Sequence, residues 1–259
     1  MHEEALDGPA AGLGFEDVAP ERAVDVFDQQ DSGCISYRVV ARGRNWFVKT
    51  ASTEPARASL ASALRLHAAA QHPTIVPPVR WFTAPDAVIV YPWIDGRVLN
   101  HATLAGSDRA GLDLLRRLRV DEIETAIGDV LDAHLVVADR GFVAVDFYDG
   151  CLLYDFERRR IHLIDLDEYR PGPFTVEADR LPGSTSYMAP EELTHGSVID
   201  QRTTVFNLGR MIHHLLDGPA GWRGTAEQLA ILTRATQVSP DCRHHNVGEL
   251  TAEWTARHS

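Results

Sequence analysis

The sequence predicts an α+β fold in two lobes: a small antiparallel β-sheet with one helix, then a larger α-helical lobe. Residues 36–41 and 45–50 are strand-like segments joined by an Arg-Gly-Arg turn, which is typical of an antiparallel hairpin. Residues 92–96 interrupt the apolar pattern and are expected to link the two lobes. Beyond them the apolar residues take on helical periodicity.

The elements of the first lobe follow in order along the chain. Residues 1–22 contain several glycines and prolines, so we expect a flexible lead-in before the first domain, 23–92. A turn with one glycine, Gly33, precedes the hairpin. The Ala- and Leu-rich segment 55–70 predicts a helix that begins at a proline, and 87–91 predicts a further strand.

The second domain, 93–259, is expected to be mostly helical. Residues 106–119 and 121–140 are its two clearest amphipathic segments. No apolar run in the chain approaches the roughly 20 residues that a membrane-spanning helix needs. The N-terminus also lacks the basic and apolar regions of a signal peptide. We therefore expect a cytoplasmic protein with no membrane partner.

Charge and cysteine content argue against two further classes of protein. The chain of 259 residues has 25 Lys and Arg against 37 Asp and Glu, a formal net charge of −12. Such a chain repels a phosphate backbone, so no nucleic-acid partner is expected. Its three cysteines lie far apart with no CxxC pair, which disfavours a disulfide framework or a zinc ribbon.

A single lysine is the most informative feature of the composition. Of the 25 basic residues, 24 are arginine and only Lys49 is lysine. An ammonium is a compact donor that fits between phosphate oxygens and a carboxylate, whereas a guanidinium is a larger planar fork. Because Lys49 lies near the end of a strand-like segment, the sequence predicts a sheet that presents an ammonium group.

Further motifs accompany Lys49 in a defined order. They are Val48-Lys49, His72-Pro73, Ala144-Val145-Asp146, Leu163-Ile164-Asp165-Leu166-Asp167, GSTSYMAPE at 183–191, and Asp241-Cys242-Arg243. In this order and spacing, the chain resembles the protein kinase family, and within it a divergent bacterial-type serine/threonine protein kinase. The resemblance implies a bilobal kinase-like fold over nearly the whole chain and a pairing of Arg243 with Glu191.

The resemblance also implies an ATP-dependent phosphotransferase with a role for each matched residue. Lys49 would hold the α- and β-phosphates, and Asp165 would bind Mg²⁺ or Mn²⁺. Asp146 would orient a hydroxyl of a protein or small-molecule acceptor and take its proton. The Pro92 carbonyl would accept from the adenine amino group, and the Ile94 N–H would donate to the ring.

Three departures from the family pattern affect the surroundings of these residues. Gly33 is the only glycine kept in the loop that would contact the phosphates. The helix position that would supply an acid to Lys49 falls within Ser62-Ala63-Leu64. Ala144-Val145 replace His-Arg, and Thr204 replaces the aspartate that braces this loop in the family.

A fourth departure concerns the second metal ligand. Cys151 lies five residues after Asp146, where the family has asparagine, and a thiol is a poor ligand for Mg²⁺. Asp149 could serve as the ligand in a rearranged loop, and its other interpretation is an ordinary Asp-Gly turn. Tyr148 replaces a lysine that is typical of kinases specific for serine and threonine.

Three functions are compatible with this pattern. A protein kinase is favoured by 183–191, which in the family forms the platform for a peptide. A small-molecule kinase is favoured by Asp165-Leu166-Asp167, since such kinases carry a second acid at this point. A pseudokinase, which binds a nucleotide or a partner without catalysis, is favoured by Cys151 and by the missing helix acid.

Overall fold

The largest sheet has five antiparallel strands. The computed structural model describes residues 10, 12–27, 33–84, 86–103 and 106–256. The strands are β1 (Ala23–Phe27), β2 (Ile35–Ala41), β3 (Arg44–Ala51), β4 (Arg80–Phe82) and β5 (Ala87–Pro92). Their spatial order is β1-β2-β3-β5-β4, and β2 and β3 form the predicted hairpin with Ser36 opposite Lys49. The predicted mixed α+β class is confirmed.

Strand β3 presents different side chains on the two faces of this sheet. Trp46 and Val48 are buried on one face, in a cluster with Tyr37 and Val39 of β2. Successive side chains of a strand point to opposite faces, so Phe47 and Lys49 lie on the other face. The alternation therefore places the single lysine away from this apolar cluster.

The residues before β1 cover the apolar face of the sheet. Leu13 and Val18 are fully buried there, and the Tyr37 hydroxyl donates to the Val18 carbonyl oxygen at 2.9 Å. The expectation of a flexible lead-in is therefore wrong for residues 12–22, because buried apolar side chains hold them against the sheet. Residues 1–9 and 11 of that lead-in lie outside the described part of the chain.

Helix α1 (Glu54–Ala69) follows β3 and matches the helix predicted there. It begins where the Thr53 Oγ1 accepts from the Ala56 N–H at 3.4 Å, and a proline in the first turn suits the helix start. Ala56 and Leu60 pack in a cluster with Ile89 of β5, which lies opposite Lys49. The helix therefore lies on the same face of the sheet as Lys49.

Short strands replace the first part of one predicted helix. After β5 come β6 (Arg97–Val98), β7 (His101–Thr103), β8 (Gly106–Asp108) and α2 (Ala110–Leu115). The helix predicted over 106–119 is therefore wrong at both ends. The Asp108 carboxylate accepts from the Ala110 N–H at 2.8 Å, which starts α2 at that point. The Leu118 N–H donates to the Leu115 carbonyl at 2.9 Å in the tight turn that ends it.

The rest of the chain is built mainly from four helices. Helix α3 (Val120–Asp139) confirms the helix predicted over 121–140. It is followed by β9 (Phe142–Val143), β10 (Leu152–Asp155), β11 (Arg160–Leu163), β12 (Arg170–Pro171), β13 (Phe174–Thr175), β14 (Val198–Ile199), α4 (Gln201–Leu216), β15 (Asp217–Gly218), β16 (Gly221–Trp222), α5 (Ala226–Ala235) and α6 (Val247–Thr255). Strands β11, β10 and β6 form a second antiparallel sheet, and the other short strands pair two by two.

The main hydrophobic core lies among α3, α4, α5 and α6. Ile127 of α3 and Leu208 of α4 are fully buried in it, and the same core reaches Leu66 of α1. Because the core includes Leu66, it joins these four helices to α1 and holds the ends of the loops that connect the helices. Of the helices formed by the described residues, none is both long and apolar enough to cross a bilayer.

Candidate functional site

A cleft of about 590 Å³ opens on the face of the sheet that carries Lys49. Residues of β3 and β5 line it on one side, and residues of two loops, 146–150 and 164–168, line it on the other. The predicted site residues that line the cleft are Lys49, Pro92, Ile94, Asp146 and Asp165. The fold therefore brings together residues that lie as much as 116 positions apart in sequence.

Lys49 is buried and carries two carboxylate partners. Its ammonium donates to Asp165 Oδ1 at 2.5 Å and also to Asp167 Oδ2. Burial by itself lowers the pKa of a lysine, but the two adjacent carboxylates outweigh it and raise the pKa of Lys49 well above its usual range. The ammonium is therefore charged, and the sheet holds it rigidly in the cleft wall.

The backbone at Asp146 and Asp165 adopts an uncommon conformation. Asp165 has a φ of +60° and Asp146 a φ of +57°, both in the left-handed region that residues with a side chain rarely occupy. Backbone strain of this kind persists only where the surrounding structure enforces it, and it is common at functional sites. Asp165 lies two residues after the end of β11, and the Ile164 N–H between them donates to the Cys151 carbonyl at 2.9 Å.

The loop that carries Asp146 is held at both ends by side chains. At its start, the Ala144 N–H donates to Thr204 Oγ1 of α4 at 3.0 Å. At its end, the Cys151 thiol donates to the Asp146 carbonyl oxygen at 3.2 Å. Thr204 thus braces the loop through its neutral hydroxyl.

Cys151 is a neutral hydrogen-bond donor. Burial, followed by the charges of Asp165 and Asp146, raises the pKa of its thiol well above the usual range. A protonated thiol that donates to a carbonyl cannot also bind a hard cation. Cys151 therefore holds the loop by a hydrogen bond and offers no ligand to a hard cation.

Asp149 lies outside the cleft, so the expected pairing of Asp149 with Asp165 at a metal is corrected. Its side chain is fully buried, and Oδ1 accepts from the Asn100 Nδ2 at 2.9 Å. It begins a single tight turn, 149–151, which matches the alternative interpretation of an Asp-Gly turn. Within the described ranges, no group of three or more His, Cys, Asp or Glu side chains is arranged to hold a metal ion.

The predicted nucleotide contacts are divided between the cleft and its surroundings. Pro92 ends β5 opposite Trp46 and lines the cleft together with Ile94. Gly33 does not line it: a side chain at this position would approach Thr53 and Ala56 at the start of α1. Residues 28–32, which precede Gly33 in the expected phosphate loop, lie outside the described part of the chain.

Sequence reasoning assigned no role to three side chains of the cleft. Asp167 lies two residues after Asp165 and contacts the same ammonium. The sequence signal was the second acid itself, in Asp165-Leu166-Asp167, although the sequence did not show that it would contact Lys49. Tyr91 and His67 also line the cleft, with Oη and Nε2 3.5 Å apart. Burial and then the charge of Lys49 lower the pKa of His67 to about 4, so this imidazole is neutral near pH 7.

The segment 183–191 returns to the cleft and is anchored behind it. Gly183 and Ser184 line the cleft, and a side chain at Gly183 would lie 3.6 Å from the Asp146 Cα. At the end of the segment, Glu191 forms a buried ion pair with Arg243, as expected from the sequence. The start of the segment therefore lies beside Asp146 at the cleft.

Protein-family models and curated protein sequences give no match to this chain. The chemistry of the cleft side chains is therefore the basis for assigning a function. A rigid ammonium can bind an anionic group such as a phosphate. A carboxylate at the same cleft can orient a hydroxyl and accept its proton.

Proposed function

We propose that this protein is an ATP-dependent phosphotransferase that resembles a divergent serine/threonine protein kinase. The observation that carries the proposal is the meeting of Lys49, Asp146 and Asp165 in one cleft. In this proposal, residues 23–92 form the smaller lobe and residues 93–259 the larger lobe of a kinase-like architecture. The buried pair of Glu191 and Arg243 supports the same resemblance, because it was expected from the motif alone.

The dimensions and lining of the cleft are suitable for a nucleotide. Its volume of about 590 Å³ lies within the range of ligand pockets, roughly 300 to 1,000 Å³. Lys49 would bind the α- and β-phosphates, since it is the cation fixed in the cleft wall beside two acids. Pro92 and Ile94 line the wall where the adenine edge would meet the backbone.

The residues of the cleft are compatible with Mg²⁺ or Mn²⁺ that arrives with the nucleotide. Mg²⁺ usually takes one or two protein carboxylates and completes its shell with water and phosphate oxygens. Asp165 would hold it, because its carboxylate lines the cleft and is partly exposed. When bound, the ion would neutralise charge on the phosphate oxygens during transfer.

In the proposed reaction, the γ-phosphoryl group moves from ATP to an acceptor hydroxyl, and ADP leaves. Asp146 would orient the hydroxyl and take its proton as the new oxygen–phosphorus bond forms. A protein acceptor is favoured because Gly183 and Ser184 of the 183–191 segment border the cleft beside Asp146. A small-molecule acceptor is the alternative favoured by the acids at Asp165 and Asp167.

A pseudokinase is the second candidate function, and one observation favours it. Cys151 is a buried, protonated thiol at the position where a second metal ligand would stand. A nucleotide could then bind through Lys49 without productive metal. This candidate predicts stabilisation by ATP that does not depend on Mg²⁺.

Thermal unfolding with ATP, in the presence and absence of Mg²⁺ or Mn²⁺, tests the proposal. A ligand at 100 times its Kd should add about 2.7 kcal/mol of stability and raise the Tm. We expect Asp165→Asn to remove the metal-dependent part of this shift, while Asp146→Asn keeps it. Asp139→Asn, at an exposed helix end, is the matched control and should behave as the parent chain.

Phosphate transfer distinguishes the candidates further. With a panel of protein and small-molecule acceptors, Asp146→Asn should lose transfer while retaining nucleotide binding. Undiminished transfer by Asp146→Asn would contradict the role given to this residue. Metal-independent stabilisation without any transfer would favour the pseudokinase, and no stabilisation by ATP under either condition would contradict both candidates.

A further inference from the structure

The two carboxylates that hold Lys49 have different environments. The Asp165 side chain is 36% exposed, whereas the Asp167 side chain is 3% exposed, as is Lys49 itself. An exposed carboxylate can exchange its partner for a cation from solution at modest cost. A buried carboxylate beside a buried ammonium cannot, since separating them leaves an uncompensated charge in a medium of low dielectric constant.

Asp167 has no competing partner for its charge. Its Oδ2 accepts from the Lys49 ammonium, and its Oδ1 is buried without a hydrogen-bond partner among the described residues. A carboxylate buried this deeply needs a counter-charge close by, and the buried Lys49 ammonium supplies it. The ammonium is therefore the group that makes a charged Asp167 tolerable at this position.

Helix α1 supplies no acid to Lys49, and it holds the Asp167 segment instead. The only acidic residue of α1 is Glu54, in its first turn. Farther along the helix, the Ser59 hydroxyl donates to Glu168 Oε1 at 2.7 Å and the Ser62 hydroxyl donates to the Tyr169 carbonyl at 2.8 Å. These two bonds fasten the residues that follow Asp167 to the helix.

A third contact fixes the same segment to the helical core. The Tyr169 hydroxyl and His134 Nε2 of α3 lie 2.8 Å apart, and both side chains are fully buried. Burial lowers the pKa of His134 to about 4, so this contact joins two neutral groups near pH 7. Asp167 is thus held between β3, α1 and α3.

We propose that Asp167 is the positioning residue for Lys49 and that it leaves Asp165 available to a divalent cation. This inference rests on the proposed nucleotide site. The buried Asp167 balances the charge of the ammonium permanently. The partly exposed Asp165 exchanges the ammonium for the divalent cation. The acid that pairs with Lys49 therefore comes from the segment after β11 and not from α1.

The variant Asp167→Asn tests these separate roles of Asp165 and Asp167 by the Mg²⁺ concentration that stabilisation requires. Without Asp167, the ammonium of Lys49 has Asp165 as its single acidic partner. Mg²⁺ must then displace the ammonium in order to bind the Asp165 carboxylate. At a fixed, saturating ATP concentration, we expect the Mg²⁺ concentration for half-maximal thermal stabilisation to rise by up to about fivefold, the upper range for one partly exposed ion pair. Asp167→Glu should restore much of the parent value, and Asp139→Asn, at an exposed acid of α3 outside the cleft, should leave it unchanged.

Removal of both charges completes the test. In Lys49→Met/Asp167→Asn, no ammonium competes for Asp165, so the half-maximal Mg²⁺ concentration should return towards the parent value even though ATP binds more weakly. If Asp167→Asn alone does not fold, this double variant should recover folding. A double variant that stays unfolded, or an unchanged Mg²⁺ requirement in a folded Asp167→Asn, would overturn the role of Asp167.

The two proposals fail in different ways. If the parent chain shows no Mg²⁺-dependent stabilisation by ATP, the metal-dependent site fails and the division between the acids fails with it. If the parent chain shows that stabilisation and Asp167→Asn retains the same Mg²⁺ requirement, the nucleotide site stands and only the role of Asp167 is lost.

Discussion

The guanidinium of Arg243 donates to both carboxylate oxygens of Glu191, from Nη1 to Oε1 at 2.6 Å and from Nη2 to Oε2 at 2.9 Å. Arg243 is fully buried, and its other donors reach the carbonyls of Gln237, Arg202 and Val238. One side chain thus joins the end of the 183–191 segment to α4 and to the loop before α6.

Loss of this buried arginine should be costly. We expect Arg243→Met to lower the free energy of unfolding by about 3–5 kcal/mol, because it leaves the Glu191 carboxylate buried without its counter-charge. Denaturant unfolding gives the difference directly. The control is Arg119→Ala, which breaks a solvent-exposed pair with Asp121 and should lower the free energy of unfolding far less. Equal losses for the two variants would contradict the structural role of Arg243.

The hydroxyl of Thr204 is expected to stabilise the loop before Asp146. In Thr204→Val the side chain keeps its shape but loses the acceptor for the Ala144 N–H, a buried donor whose loss of partner costs about 1–3 kcal/mol. Hydrogen exchange at the Ala144 amide should become faster, and Thr204→Ser should restore its protection. Unchanged exchange in Thr204→Val would mean that another group satisfies this amide.

The three cysteines should differ sharply in reactivity. Cys242 is exposed, whereas Cys34 and Cys151 are buried, and burial raises the pKa of the Cys151 thiol. Brief alkylation of the folded protein with iodoacetamide, followed by peptide mass spectrometry, should modify Cys242 and spare the other two. In denaturant all three should react. Modification of Cys151 in the folded protein at the rate of Cys242 would contradict its role as a buried donor.

Glu192 should make stability fall as the pH rises. Burial raises its pKa to about 7 from the usual 4.5, although the Asn207 amide and the Ala189 N–H oppose the rise. The folded protein therefore binds this proton more tightly than the unfolded chain does. The resulting stabilisation, of order 3 kcal/mol, is complete below about pH 4.5 and is lost as the pH rises through 7.

The variant Glu192→Gln isolates this contribution. Its free energy of unfolding, measured from pH 5 to 8 and compared with that of the parent chain, should lack the decline that comes from Glu192. The difference between the two chains should therefore grow in favour of the variant as the pH rises. Glu157→Gln, at an exposed acid, should follow the parent profile. A constant difference at every pH would rule out an elevated pKa at Glu192.

Local sequence patterns were sufficient to predict the strands and helices with a regular residue pattern. The alternation around Lys49 predicted β3, the Ala- and Leu-rich composition after a proline predicted α1, and the amphipathic spacing predicted α3. The bounds of the helix expected over 106–119 were wrong because the helix starts at the Asp108 carboxylate and ends at the tight turn before Leu118. Apolar periodicity does not indicate either feature. The expectation of a flexible lead-in was wrong because Leu13 and Val18 pack on a sheet whose strands come later in the chain.

For the candidate site, the sequence by itself determined which chemical groups the chain can offer: one lysine, the acids at Asp146 and Asp165, and a thiol at Cys151. Residue type and order along the chain are local properties. The expected pairing of Glu191 with Arg243 came from the resemblance to the kinase family.

Only the tertiary structure decided the partners of these groups. It joined Lys49 to Asp167 across 118 positions and Ala144 to Thr204 across 60, and it turned Asp149 away from the cleft to face Asn100. The physical reason is that burial and distance set the energy of a charge or a donor, and both depend on which distant segments pack together. An aspartate side chain that lines a cleft can bind a metal ion, whereas one buried outside the cleft, such as Asp149, serves only as a hydrogen-bond acceptor.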